Sequence, residues 1–207
     1  MLALALLVAA PAQGASVADF DLTRTPAAGD QNAGVVVVEY ACARCPFCAQ
    51  LTPALHAAVE TGALKGKAQL YLKIFPIKGH AGAKEAAMAF VAAHELGKFW
   101  PYALYAFRHF NEFTVDKLAT WAQALGLNQE AFARLSRDPK LADLLVANKK
   151  EGIALGVDGT PTLFINGRKY VGKNTLEDII AAIQAAPPLA SRERLRTGAA
   201  KESPSVP

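Results

Sequence analysis

Cysteine is scarce in this sequence: there are three among 207 residues, and Cys42, Cys45 and Cys48 all fall within seven positions. A small chain stapled by disulfides spreads its cysteines to cross-link distant segments, so that class is excluded and these thiols belong to a site. Charge of one sign is also short. The formal net charge is +4, and half of it sits near the C-terminus, where Arg192, Arg194, Arg196 and Lys201 outnumber Glu193 and Glu202. The rest is nearly balanced and carries no basic stripe with interleaved aromatics, which argues against nucleic acid as a partner. After the first residues no apolar run approaches the ~18 needed to cross a bilayer, so the mature chain is expected not to span a membrane. The four histidines, His56, His80, His94 and His109, are scattered, and surface or packing roles are expected for each rather than metal binding.

What is present suits an ordinary globular domain. Hydrophobic residues make up 52% and charged residues 19%, enough to bury one core, or one core carrying an inserted subdomain. Leu2 to Ala10 is an uncharged apolar run, and Ala12-Gln13-Gly14 follows as a small-x-small cleavage pattern. Residues 1–14 are therefore predicted to be a signal peptide, which makes the protein exported and places it in a bacterial periplasm. The run has no Lys or Arg ahead of it, which a start further upstream would explain. Pro187-Pro188 opens a polar segment, 187–207, expected to be a disordered tail.

Between these ends, 15–33 reads as a loose leading segment. Val35-Val36-Val37-Val38 is a β-branched run of the kind buried on both faces of a sheet. From Pro46 the pattern turns helical, with Leu51, Leu55, Ala58 and Val59 on one face and Pro53 expected to kink it. Gln69 to Phe75 reads as a second strand. Helical spacing links Phe99, Ala103, Ala106, Phe107 and Phe110, then Leu118, Trp121, Ala122 and Leu125, with further helices over 128–135 and 139–155. Trp100 and Trp121 are expected in the core of this stretch. Thr162 to Ile165 is a strand, Asn166-Gly167 a hairpin turn, and 168–171 the returning strand. Asn174 with Glu177 three later announces a last helix carrying Leu176, Ile179, Ile180 and Ile183 on its packed side. A strand–helix–strand unit and a hairpin–helix unit separated by helices make an α/β fold with one sheet.

Cys45-Pro46-Phe47-Cys48 sits where the valine strand gives way to a helix. First-turn amides and the helix dipole stabilise an anion there by roughly 0.3–2 kcal/mol, and the thiolate is the species that attacks a disulfide. Cys48, one turn on, faces the same side and can close the ring. Pro46 fits the first helical position, where an N–H would have no partner.

Cys-Pro-Phe-Cys after Val-Val-Glu-Tyr, Pro53 within the helix, and Gly159-Thr160-Pro161-Thr162 downstream resemble the disulfide-bond oxidoreductase A (DsbA) family of thioredoxin-like proteins. Phe75-Pro76-Ile77 with His80, and Gly97-Lys98-Phe99-Trp100, resemble segments bordering and within that family's helical insertion. The resemblance covers about residues 30–186. It implies a thioredoxin-like fold over 15–186 with an inserted helical subdomain at about 80–155. It also implies an exposed nucleophile at Cys45, a buried resolving thiol at Cys48, and a cis-proline at Pro161 with Thr160 offering its backbone to a substrate strand. Glu39 matches a buried acid that assists proton transfer to the resolving thiol; read from the residues alone it is equally an ordinary carboxylate at a strand end. The redox group is then the Cys45–Cys48 disulfide, with no separate cofactor and no metal. Its partners are unfolded or reduced protein substrates and a membrane or soluble redox partner. The activity implied is oxidation or isomerisation of disulfides, with a thioredoxin-fold reductase or a non-catalytic partner-binding module as alternatives.

Two departures stand out. Phe47 lies beside Cys45 where strongly oxidising relatives carry His, and it is expected to line the substrate site. Cys42 occupies a place where many relatives have Ser or a hydrophobic residue; it is either a small packing residue or a third redox thiol. A rival reading uses all three cysteines. Cys42-x-x-Cys45-x-x-Cys48 has the opening spacing of a ferredoxin run, with Pro53 at the motif's proline, which would make an iron–sulfur or zinc site. The fourth ligand position holds Thr52, and no further cysteine exists to replace it.

Overall fold

Four consecutive valines leave a strand no polar face to give to water, so it must be covered on both sides. The computed structural model, which describes residues 16–189, supplies that cover. Its sheet has strands β1 (Ala27–Gly29), β2 (Val35–Ala41), β3 (Ala68–Ile74), β4 (Thr162–Ile165) and β5 (Arg168–Lys169), in the order β1-β3-β2-β4-β5. β2 and β3 are parallel and joined through α1 (Pro46–Glu60); every other neighbouring pair is antiparallel. Between β3 and β4 run α2 (Ala83–Glu95), α3 (Phe99–Arg108), α4 (Lys117–Ala124), α5 (Gln129–Leu135) and α6 (Pro139–Ala154), and α7 (Leu176–Ala185) follows the hairpin. The α/β class read from the sequence is the class the chain adopts. The proposed signal segment and nearly all of the proposed tail lie outside the described residues.

Alternate β2 side chains enter different cores. Val35 and Val37 pack with Leu70 and Leu163 against Leu51, Leu55 and Val59 of α1 and Ile179 and Ile183 of α7. Val36, Val38 and Tyr40 pack on the opposite face with Phe20, Tyr71, Phe75 and Phe164. A third cluster gathers α2 to α5 around Phe90 and also takes in Cys42, Cys45 and Cys48. The thiols therefore lie where the end of the sheet meets the helical insertion.

Two contacts fasten α6 to the sheet. Gly152 lets the helix approach closely, since a Cβ there would lie 2.9 Å from the rings of both Phe75 and Tyr40. Its neighbour Glu151 lies 2.7 Å from Nζ of Lys73, a β3 side chain with no exposed surface, and accepts hydrogen bonds from the Tyr40 hydroxyl and the Asp21 N–H. Pairing of this kind is what makes a buried ammonium tolerable. Trp100 ties the insertion to the other edge: half-buried, it donates from Nε1 to the Ala27 carbonyl of β1 at 2.7 Å and packs against His56. Trp121 is buried, as expected.

Several local readings need correction. The loose leading segment holds β1 and a capped 3-10 turn at Val17–Asp19; β1 is Ala-Ala-Gly, too short and small to show alternation. Thr175, not Asn174, caps α7, its hydroxyl accepting the Asp178 N–H at 3.2 Å. Leu176 is exposed, while Ile179 and Ile183 are buried. The returning strand stops at Lys169, and Val171 is exposed. The turn itself is as read, with Asn166 at φ 49° and Gly167 at φ 82°, the left-handed pair a tight hairpin needs. Helix α1 continues through Pro53, whose ring removes one helical hydrogen bond.

Candidate functional site

β2 ends by delivering Glu39 and then a tight turn in which the Cys45 N–H donates to the Cys42 carbonyl at 3.0 Å. Cys45 is the extended N-cap of α1 and Pro46 its first helical residue. The Cys45 sulfur thus faces the free amides of the first turn, and Cys48 follows one turn later. The Cys45 thiol is pulled down to about 5, first by a hydrogen bond from the Cys48 thiol. Burial opposes that shift, and the N–H groups of Cys48 and Phe47 add to it. Cys48 is fully buried, and burial, the bond to Cys45 and the nearby Glu39 all push it above the ordinary thiol range. One sulfur is ionised at neutral pH and the other holds its proton.

The exposed nucleophile implied by the resemblance is not found. Cys45 is only 2% accessible, because the loop carrying the cis Thr160–Pro161 bond lies over it, with the Thr160 carbonyl 3.2 Å from its sulfur. That carbonyl accepts from Cys45 only while the thiol keeps its proton. Beside the pair opens a cleft of about 510 Å³ lined by Phe47, Leu51, Thr160, Pro161 and Leu176. Phe47 is 68% exposed at its mouth.

Glu39 lies buried beneath the pair. Thr52 of α1 donates to its Oε1 at 2.6 Å, while Oε2 has no hydrogen-bond partner. Burial raises the carboxyl to about 8, against the Thr52 hydrogen bond and with some help from Cys45. Cys42 is equally buried. Its sulfur accepts the Arg44 N–H at 3.4 Å and lies 3.5 Å from Nδ1 of His80. Burial pushes this thiol up, opposed by the N–H groups of Ile77 and Arg44. Arg44 itself reaches into the insertion, stacking 3.8 Å from the Phe113 ring centroid and donating to the Phe110 carbonyl at 3.1 Å.

The fold thus brings together Cys42, Cys45, Cys48, Glu39, Phe47, Thr160 and Pro161. It adds Thr52, Arg44 and His80, which sequence reasoning did not place in the site. From the sequence Thr52 reads only as the residue denying a fourth cysteine. For His80 a signal existed, since it follows Phe75-Pro76-Ile77 at the border of the insertion. Among the described residues no group of three or more His, Cys, Asp or Glu side chains is arranged to hold a metal ion.

A mixed five-stranded sheet with two cysteines at the head of its first long helix, a cis-proline loop over them and a helical insertion between β3 and β4 is a DsbA-like thioredoxin fold. The chain belongs to the thioredoxin family: the family model described as Thioredoxin matches residues 22–185. Among solved structures it is similar to the thiol-disulfide exchange protein alpha-DsbA2 from Wolbachia pipientis, with TM-score 0.68, 24% identity, and coverage of 79% of this chain and 87% of that one. It is also similar to BdbD from Bacillus subtilis, with TM-score 0.66, 18% identity, and coverage of 87% and 96%. Curated relatives are named Na(+)/H(+) antiporter NhaA. The Salinispora tropica protein is 31% identical over 166 residues, which is 80% of this chain and 25% of that protein. The chain spans about a quarter of the length of such relatives, and no helix among the described residues is long and apolar enough to cross a membrane.

Proposed function

We propose that this chain is an exported thiol–disulfide oxidoreductase of the bacterial periplasm that forms or rearranges disulfides in unfolded or reduced proteins. Its redox group is the Cys45–Cys48 disulfide itself, with no bound cofactor. The observation that carries this reading is the asymmetry of the pair, with Cys45 at about 5 beside a Cys48 that keeps its proton.

In the oxidising direction a substrate thiolate attacks Cys45, forming a mixed disulfide and expelling Cys48 as a thiolate, which takes up a proton from Glu39. A second substrate thiolate then attacks the substrate sulfur of the mixed disulfide. The substrate leaves with a new disulfide, and both electrons remain on the Cys45–Cys48 dithiol. A membrane or soluble redox partner must accept those electrons to restore the disulfide. Stabilising the Cys45 thiolate favours the reduced protein and so makes its disulfide a stronger oxidant, which supports oxidation or isomerisation over reduction. The antiporter relatives share only this segment, and ion transport forms no part of the proposal.

Cys45→Ser should abolish exchange in an oxidative-refolding assay, and Cys48→Ser should accumulate mixed disulfides with substrate. Full activity in Cys45→Ser would reject the reading, and a parent chain without exchange activity would favour a partner-binding module that merely keeps the fold.

A further inference from the structure

We infer that Thr52 is the positioning residue that makes Glu39 a one-sided proton carrier, fixing Oε1 so that Oε2 alone exchanges a proton with Cys48. This rests on the Glu39 role proposed above and deepens it.

Three observations meet at this point. Thr52 is a hydroxyl residue with no accessible surface in the middle of α1. In that setting a threonine hydroxyl ordinarily bonds back to the carbonyl one turn earlier. Here it leaves its own helix and donates to Glu39 Oε1 at 2.6 Å, a length typical of a strong hydroxyl–carboxylate bond. The second carboxylate oxygen, Oε2, is buried and has no partner. A buried acceptor left bare is destabilising, so such atoms are few in folded proteins. This one belongs to the carboxyl whose charge acts on Cys48. With Oε1 holding the Thr52 hydrogen bond, Oε2 is the oxygen with no competing partner for a proton from Cys48.

The surroundings make this assignment simple. The titratable groups facing Glu39 are Cys45 and Cys48 of α1. Its register neighbours on the adjoining strands are Leu72 on β3 and Leu163 on β4, both apolar and buried. Thr52 is thus the hydrogen-bonding side chain that tunes the carboxyl, and it acts by favouring the ionised form.

The step that reads this out is closure of the ring. With a thionitrobenzoate group disulfide-bonded to Cys45, Cys48 passes its proton to Glu39 Oε2 and its thiolate attacks the Cys45 sulfur. The Cys45–thionitrobenzoate bond breaks, the Cys45–Cys48 bond forms, and coloured thionitrobenzoate leaves with the electron pair. Release is followed against pH in the full chain and in Thr52→Val, Thr52→Ser, Thr52→Ala and Glu39→Gln. Loss of the hydroxyl should move the inflection of the rate profile up by about one pH unit, slowing release at pH 7 about tenfold, and Thr52→Ser should restore the parent profile. The infrared carboxyl band of protonated Glu39 should shift in Thr52→Val and stay in place in Thr52→Ser. Parent-like profiles and bands in both Thr52→Val and Thr52→Ala, with Glu39→Gln losing the inflection, would overturn the role of Thr52 and leave that of Glu39 standing. A parent-like profile in Glu39→Gln would overturn both. If Thr52→Val folds poorly, Thr52→Ala and the infrared band decide.

Discussion

The ionisation of Cys45 has a consequence that can be measured as a slope. With the thiol at about 5 against ~8.5 for an unperturbed cysteine, the reduced protein at pH 7 is stabilised by about two pH units' worth of ionisation. That is roughly 2.7 kcal/mol, or about 60 mV of added oxidising strength for a two-electron couple. Proton stoichiometry follows from the same number. Below about pH 5 reduction takes up two protons, one on each sulfur, and the potential should fall by ~60 mV per pH unit. Above it Cys45 stays ionised and Cys48 is the one sulfur protonated, so in Glu39→Gln, which removes the carboxyl's own proton uptake, the fall should halve to ~30 mV per unit. The perturbation is therefore pH, and the assay is equilibration with a glutathione series followed by thiol trapping. Ultraviolet thiolate absorbance of the reduced protein gives the midpoint independently, with Cys45→Ser as the blank. The folded-state pKa lies below the unfolded one. The stabilisation of the reduced fold is therefore complete above the unfolded thiol's pKa and is lost as pH falls through about 5. A slope near 60 mV per unit between pH 5.5 and 7 in Glu39→Gln, or a thiolate midpoint near 8.5, would refute the reasoning.

Other outcomes follow from neighbouring contacts. Phe47→His should raise the potential of the pair by at most roughly 30–65 mV if the imidazole donates to the Cys45 thiolate, and the exposure of Phe47 places the effect at the low end; a fall would mean the side chain does not face the sulfur. Cys42→Ser should lower stability slightly and leave the potential unchanged if Cys42 is a packing residue, whereas peptide mapping that finds a Cys42–Cys45 isomer above trace would make it a third redox thiol. Glu151→Gln should lower the unfolding free energy by about 3–5 kcal/mol in urea titrations, because Lys73 is left buried without its counter-charge. Gly152→Ala should lower it by about 1–3 kcal/mol through the close approach of Phe75 and Tyr40, and a neutral result would mean α6 shifts freely on the sheet.

The parts of the site that were legible in the sequence are those written along it. A valine run, Cys-Pro-x-Cys and a helical pattern are contiguous, so the strand–helix junction and its two thiols could be read directly. Asn166-Gly167 marked its turn because few residues tolerate the left-handed backbone required there. Of the members missed, Thr52 and His80 reach the site across 13 and 38 positions, to Glu39 and Cys42, while Arg44 adjoins Cys45 but sends its side chain across 66 positions to Phe110 of the insertion. Each of their residue types has an ordinary local use that periodicity cannot separate from this one. The same limit explains β1, whose three small residues become a strand only because β3 offers an open edge. It also explains the accessibility of Cys45, which is decided by a loop 115 positions away.

The two acids of the site also bear on the direction of reaction. In the reduced protein at pH 7, Cys45 is the ionised group, while Glu39, at about 8, keeps its proton. Both charged at once would place two anions in one water-poor site, and the Cys45 thiolate indeed pushes the carboxyl up. Pairs of groups driven apart in this way divide the roles of acid and base between them. Forming the Cys45–Cys48 disulfide removes the thiolate charge, so Glu39 binds its proton less tightly in the oxidised protein and more tightly in the reduced one. The carboxyl is therefore best able to give up its proton in the oxidised state, when attack on Cys45 expels Cys48 as a thiolate that needs one. It regains a proton as charge returns to Cys45. In the mixed disulfide Cys45 carries no charge, so the proton that Glu39 gives up goes to the Cys48 thiolate. In the reduced protein, by contrast, deprotonation of Cys48 has to work against a carboxyl that is already mostly protonated.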